Sequence, residues 1–128
     1  MNYNHITQAY QNAERQAIEE MNDPHLIVLT MFDALLKSMQ IFEANFDLKN
    51  GGDAEQKSKH FARALTIIYA LQSSLDFEKG EPIASNLFNL YDFCRKQVID
   101  SYKNLTTQGI DASINVIDEI LSAWKDIA

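Results

Sequence analysis

From Pro24 to Phe46 the chain reads PHLIVLTMFDALLKSMQIFEANF, and polar residues occupy only a narrow stripe of it. Wound at about 100° per residue, Thr30, Asp33, Lys37 and Gln40 form that stripe. Val28, Met31, Phe32, Leu35, Leu36, Met39 and Phe42 build a broad main face, and Ile27, Ala34 and Ile41 add a second apolar edge. A helix apolar over so much of its circumference needs several neighbours, or presents part of itself to a partner. Asp23 is placed to cap its free amides. Pro24 suits the first helical position, because its missing N–H would have had no acceptor there.

Three further segments carry the same period. From about Asp53 to Leu75, the residues Phe61, Ala64, Leu65, Ile68, Leu71 and Leu75 face a core, Glu55, Lys59 and Arg63 face water, and Tyr69 sits at the margin. The charged positions from Asp53 to Lys59 read as a solvated face. In IASNLFNLYDFCRKQVIDSY, starting at Ile83, the residues Ile83, Leu87, Leu90, Tyr91, Cys94 and Val98 gather on one side, with Phe88 and Ile99 near an edge. Phe93 breaks the pattern by falling among Asn86, Asn89, Gln97 and Asp100. The last segment runs from about Asp111 to Ile127. Ile114, Val116, Ile117, Ile120, Leu121 and Trp124 form its buried face, Asp111 caps it, and Ile110 packs across the entrance. Residues 4–21 form a weaker helix whose stripe is Ile6, Tyr10, Ala13, Ala17 and Met21. So little area leaves it dependent on tertiary contacts. Two readings stay open: a short helix closing the bundle, or a movable lid over a groove.

Breakers divide these segments: Pro24, Gly51 and Gly52, Gly80 beside Pro82, and Gly109. No segment alternates as a strand would. The expected fold is all-α, an antiparallel four-helix bundle with an additional short N-terminal helix or lid. Residues 1–128 then make a single domain, with 1–22 as a mobile N-terminal segment.

Composition narrows the function more than the fold. Formal net charge is -7, which disfavours nonspecific binding to nucleic acid or an anionic membrane. The longest uninterrupted apolar run, LIVL, is far short of the roughly 20 residues that cross a bilayer, so no membrane insertion is expected. Cys94 is the only cysteine, so no internal disulfide or thiolate-rich zinc site can form. The opening MNYNHITQAY has no long apolar core, which together with the lone thiol points to the cytoplasm.

Candidate chemistry is sparse. His5, His25 and His60 are scattered, and no Glu-x-x-His occurs. Cys94 lies on the apolar side of its helix, where burial opposes the thiolate. Glu19 and Glu20 are adjacent and cannot converge on one substrate. The chain has no glycine-rich phosphate cradle. Hence no catalytic residue, metal ligand or cofactor is assigned. Binding is the more economical reading, since surplus apolar helix edges can hold an amphipathic segment. Phe93 then meets a peptide or a subunit seam, or packs beneath the first helix or a loop. Tyr91 fills the core or reaches a groove rim. Two other classes remain: a helical scaffold or homo-oligomeric protein, and, remotely, a metal-dependent helical enzyme.

The ordered set AYQN (Ala9–Asn12), DPHLIVLTMFDALLKSM, Leu75–Asp76, Gly80, Ile83–Ala84, Asn86–Leu87, LYDF (Leu90–Phe93) and Ala123–Trp124 resembles the bacterial flagellin export chaperones of the flagellar type III secretion system. The likeness covers nearly the whole chain. It implies an antiparallel helical bundle without enzymatic activity. Such a protein binds the disordered C-terminal region of flagellin in the cytoplasm, prevents premature polymerisation, and aids delivery to flagellar export components. It also implies that Tyr10 belongs to a segment able to cover apolar surface before the client binds. Pro24 and Phe32 match positions shaping the first long helix. Leu87, Leu90 and Tyr91 match the later helix, and Phe93 stands for a frequent tyrosine. Ala34 replaces a common glycine, Glu81 follows a single Gly80 where two glycines are frequent, and Ser101–Tyr102 replaces an alanine–asparagine pair. Candidate client-binding or groove positions are Tyr10, Ile27, Ala34, Tyr69, Leu87, Leu90, Tyr91, Phe93 and Tyr102.

Overall fold

A computed structural model describes residues 7–9, which are helical and exposed, and residues 23–126. Tyr10 and the lid reading of residues 1–22 lie outside the described residues. The rest is four α-helices: α1 (Pro24–Ala44), α2 (Ala54–Ser73), α3 (Ile83–Asn104) and α4 (Gln108–Asp126), with a short 3-10 turn at Leu48–Asn50. No strand occurs among the described residues.

Asp23 caps α1 as expected, its carboxylate accepting from the amides of His25 and Leu26, and Pro24 opens the helix. At the far end the Asn45 side chain donates to Ile41 O at 2.9 Å and accepts from the Asp53 amide at 3.1 Å. Asp53 in turn caps α2 through the amides of Glu55 and Gln56. One asparagine thus joins the end of α1 to the start of α2. Between α2 and α3, Asp76 accepts from the amides of Glu78 and Lys79, and Gly80 N–H returns to Asp76 O at 2.8 Å. The α3 helix ends on Leu105, held in the left-handed region at φ 54°.

The helix α4 begins three residues before the expected Asp111. Asp111 N–H bonds Thr107 O, so Asp111 lies in the first turn and does not cap it. Acidic side chains are favoured there too, by the helix dipole, which is why the pattern misplaced the start. Ile110 is inside the helix and fully buried.

Each helix packs on the next, and α4 returns to α1. Short connections make neighbours antiparallel. Phe32, Leu35, Met39 and Phe42 of α1 meet Ala64, Ile68 and Leu71 of α2, Tyr91, Cys94 and Val98 of α3, and Ile110, Ile117 and Leu121 of α4. The ring is closed by a reciprocal clasp. His25 Nε2–H donates to Trp124 O at 2.8 Å, and Trp124 Nε1–H donates to His25 O at 3.0 Å. Their rings stack at 5.2 Å, and Phe32 meets the Trp124 ring edge-on at 6.1 Å. The Trp124 carbonyl lies in the last turn of α4, where no helical amide can reach it.

The buried stripe of α3 differs from the expected one. It runs Ala84, Tyr91, Cys94, Val98 and Ser101, whereas Ile83 is 66% and Leu90 39% exposed. Small residues explain the rotation. A Cβ on Gly109 of α4 would lie 3.0 Å from Ser101 Oγ and 3.1 Å from Gln97 O, so α3 and α4 approach closely along Ser101, Gly109 and Ser113. Bulky Ile83 and Leu90 are left at the margin.

Lys57 corrects the solvated reading of Asp53 to Lys59, since it is buried, as is His60 just beyond that stretch. The Lys57 ammonium lies over the Phe46 ring and donates to Phe46 O at 2.8 Å. By length and composition α1 is apolar enough to cross a membrane, although its longest unbroken run is short; in this fold it lies against α2 and α4.

Ser101 is completely buried and its hydroxyl meets no hydrogen-bond partner among the described residues. Ser101→Ala removes an unsatisfied polar atom and is expected to stabilise the fold by about 1 kcal/mol, read as a higher midpoint in urea with an unchanged slope.

Candidate protein-binding surface

Antiparallel packing brings the starts of α1 and α3 and the ends of α2 and α4 to one end of the bundle. There an apolar groove of about 270 Å³ opens between them. Val28, Leu71, Leu75, Ile83 and Leu87 line it, with Tyr91 and Trp124 at its inner wall. The turn held by Asp76 and Gly80 forms one lip. A side chain on Gly80 would press on Asp76 O at 2.5 Å, so this lip can be tight only without a Cβ.

Ile83, Leu87 and Leu90 follow i, i+4 and i+7 spacing and therefore form one ridge along α3. Phe93, 40% exposed, stands beside the end of that ridge. Gln97, one turn beyond Phe93, packs against Gly109, so this edge of α3 turns toward α4. From Ile83 to Phe93 the apolar track is about 15 Å long at 1.5 Å per residue. It starts in the groove and runs out over the α3 surface.

The other expected positions are dispersed. Leu87 and Tyr91 meet in the groove, but Tyr91 is core, 2% exposed, so its ring contributes a wall and not a rim. Ala34 belongs to a separate shallow groove between α1 and α2, with Ile41, Ser38, His60 and Arg63. Tyr69 projects from α2 at 70% exposure. Tyr102 stacks on Phe61 at 4.3 Å, so it supports α2 while keeping one side in water. Ile27 is exposed near the start of α1 and does not line the groove. Exposed Phe77 packs edge-on against exposed Phe88 at 6.0 Å; Phe88 was read at an edge of α3, but Phe77 and the pairing escaped the sequence reading. So did the grouping of Val28, Leu71, Leu75 and Trp124. Each was legible as apolar, but only the turn at Gly80 brings them round one opening.

The ionisable groups near the surface are quiet. Burial pushes the Tyr91 hydroxyl up to about 12 and the Cys94 thiol up to about 11, so both stay protonated. Lys96 and Arg95 bond the Asp92 carboxylate and hold it below the usual range. Burial, then the charges of Lys59 and Arg63, lowers His60, whose Nδ1 lies 3.4 Å from Ser38 Oγ. Among the described residues no cluster of three or more His, Cys, Asp or Glu is arranged to hold a metal. This surface can bury apolar side chains and offers no activated nucleophile.

Glu43 is the exception, away from the groove. Among the described residues its buried Oε2 meets no donor, and its carboxyl faces Asp111 of α4. Two carboxyls can hydrogen-bond only if one holds a proton. That bond, then burial, then the Asp111 charge, raises Glu43 to about 7. A raised folded pKa favours the fold while the proton is bound, so this contribution fades as pH climbs from about 4.5 through 7. Glu43→Gln, whose amide donates at every pH, is expected to match the parent near pH 4 and to melt higher than it near pH 8, roughly the far side of that titration; thermal scans across the range check it.

A family model described as "Flagellar protein FliS" matches residues 6–128. The Vibrio cholerae protein named flagellar secretion chaperone FliS is 31% identical over 120 residues, covering 94% of this chain and 86% of that one. The protein of that name from Salmonella typhimurium is 28% identical over 121 residues, covering 94% and 87%. The one from Campylobacter jejuni is 28% identical over 118 residues, covering 91% and 88%.

Proposed function

The chain belongs to the FliS family of flagellar proteins, and from that premise we propose that it is a cytoplasmic secretion chaperone whose client is the disordered C-terminal region of flagellin. The observation that carries this reading is the apolar track from the groove through Ile83, Leu87 and Leu90 to Phe93. Apolar anchors of the client fill the groove and lie along the ridge. Their burial contributes about 25 cal/mol per Å², opposed by the cost of ordering a flexible segment. Covering the client's own sticky face prevents premature polymerisation and needs no bond making. Delivery to flagellar export components follows once the client is held in a soluble complex.

Calorimetric titration with the C-terminal segment of the same organism's flagellin is the direct test, and saturable one-to-one binding is expected. Phe93→Ala should weaken it by about 1–2 kcal/mol while shifting folding stability by no more than about 0.5 kcal/mol. An absence of saturable binding by folded protein removes the client assignment. Binding by Phe93→Ala equal to the parent's removes the role given to that ring.

The leading segment, with Tyr10, is proposed as a cover for the same groove. Deleting residues 1–22 should then speed client association in stopped-flow mixing. An unchanged rate rejects the cover.

A further inference from the structure

At the opposite end of the bundle, where α1 ends and α4 begins, a second cleft of about 650 Å³ lies between the 3-10 turn and the α3–α4 connection. Its wall carries Lys57, only 7% exposed. The Lys57 ammonium bonds one neutral carbonyl, Phe46 O, and lies 4.1 Å from the Phe46 ring centre. No carboxylate among the described residues pairs with it within 4.0 Å. Asp47, on the same rim, is turned to the Lys49 amide and to Asn50 Nδ2. The Asp47 carboxylate is held low first by its bonds to Asn50 and Lys49 and last by the charge of Lys57, so it stands near the ammonium without bonding it. A desolvated ammonium with no directly bonded counter-ion is costly to hold, and among the described residues only one of its three N–H donors meets an acceptor.

The mouth of the cleft is apolar. Leu48 on the 3-10 turn and Leu105 are both exposed, Leu105 at 73%. Leu105 holds the left-handed helix-terminating conformation, φ 54°, where glycine or asparagine is the unstrained choice. An exposed leucine in that position serves the fold poorly. Thr106 and Thr107 line the same cleft. The Thr106 hydroxyl accepts from the Gln108 amide at 3.4 Å, which leaves its proton free to donate. Two lysines face one aspartate around this cleft, a positive site on a chain whose net charge is -7.

We propose that this cleft binds the free C-terminus of a peptide. The terminal carboxylate meets Lys57 and the threonine hydroxyls, and an apolar last side chain lies between Leu48 and Leu105. The site is separate from the groove assigned to the client, so neither assignment depends on the other.

The test is an NMR titration of the isotope-labelled full chain with three acetylated tetrapeptides. One ends in leucine as the free acid, the second is its C-terminal amide, and the third is an amide with an internal aspartate. The free acid should shift the amides of Leu105, Thr106 and Thr107 saturably, and the amide should bind at least about tenfold more weakly. Lys57→Met should erase that preference, and Leu105→Gly should weaken binding while raising the melting temperature. Equal binding of acid and amide to the unmodified chain overturns the proposal, as does the absence of saturable shifts at these residues. Binding of the aspartate peptide as tight as that of the free acid overturns the terminal assignment in favour of an acidic side chain.

Discussion

The whole arrangement turns on α1, whose polar residues occupy only a narrow stripe and whose buried row is Phe32, Leu35, Ser38, Met39 and Phe42. Its main face is covered by α2 on one side and α4 on the other, and Phe32, Leu35, Met39 and Phe42 then sit at the centre of the molecule. Covering such a helix from two sides obliges α2 and α4 to diverge around it, and α3 fills the remaining side by packing on both. The His25–Trp124 clasp fixes the closure where α1 starts and α4 stops. It satisfies a terminal carbonyl that would otherwise be stranded, and Phe32 packs edge-on against its Trp124 ring and in turn against Tyr91.

That geometry also explains why binding surface remains. Helices that converge on a common core at their middles leave their ends apart. At one end the gap is lined by Val28, Leu71, Ile83, Leu87 and Trp124. The close seam between α3 and α4, made of Ser101, Gly109 and Ser113, leaves Leu90 and Phe93 on an open edge. A seam of larger residues would have separated these helices and drawn Leu90 inward. The surface is therefore a by-product of tight packing elsewhere; beside it burial keeps Tyr91 and Cys94 protonated, and Asp92 is paired with Lys96 and Arg95.

Much of this was legible before any coordinates. The cap Asp23, the period of α1 and α2, and the aromatic that refuses the α3 pattern all follow from local rules, and the structure places them accordingly. What local rules missed depended on distant chain. The burial of Lys57 requires the Phe46 ring and carbonyl, eleven residues earlier. The rotation of the α3 stripe requires Gly109 on the next helix. The early start of α4 was hidden because an aspartate suits the first turn as well as the cap. Of the proposed contact residues, Leu87 and Tyr91 came together, while Ala34, Tyr69 and Tyr102 went to other faces. A wheel drawn for one helix cannot show which neighbour stands beside each edge.

Asp23 and Pro24 stand at the same end of the bundle as the apolar groove, since Val28 lines it one turn further on. The twenty-two residues that precede them are therefore tethered at the mouth of the opening. Any contact they make there is intramolecular, with a local concentration on the order of millimolar. Under the proposed cover, an arriving client competes with a segment that never diffuses away, and dilution of the protein does nothing to change that contest.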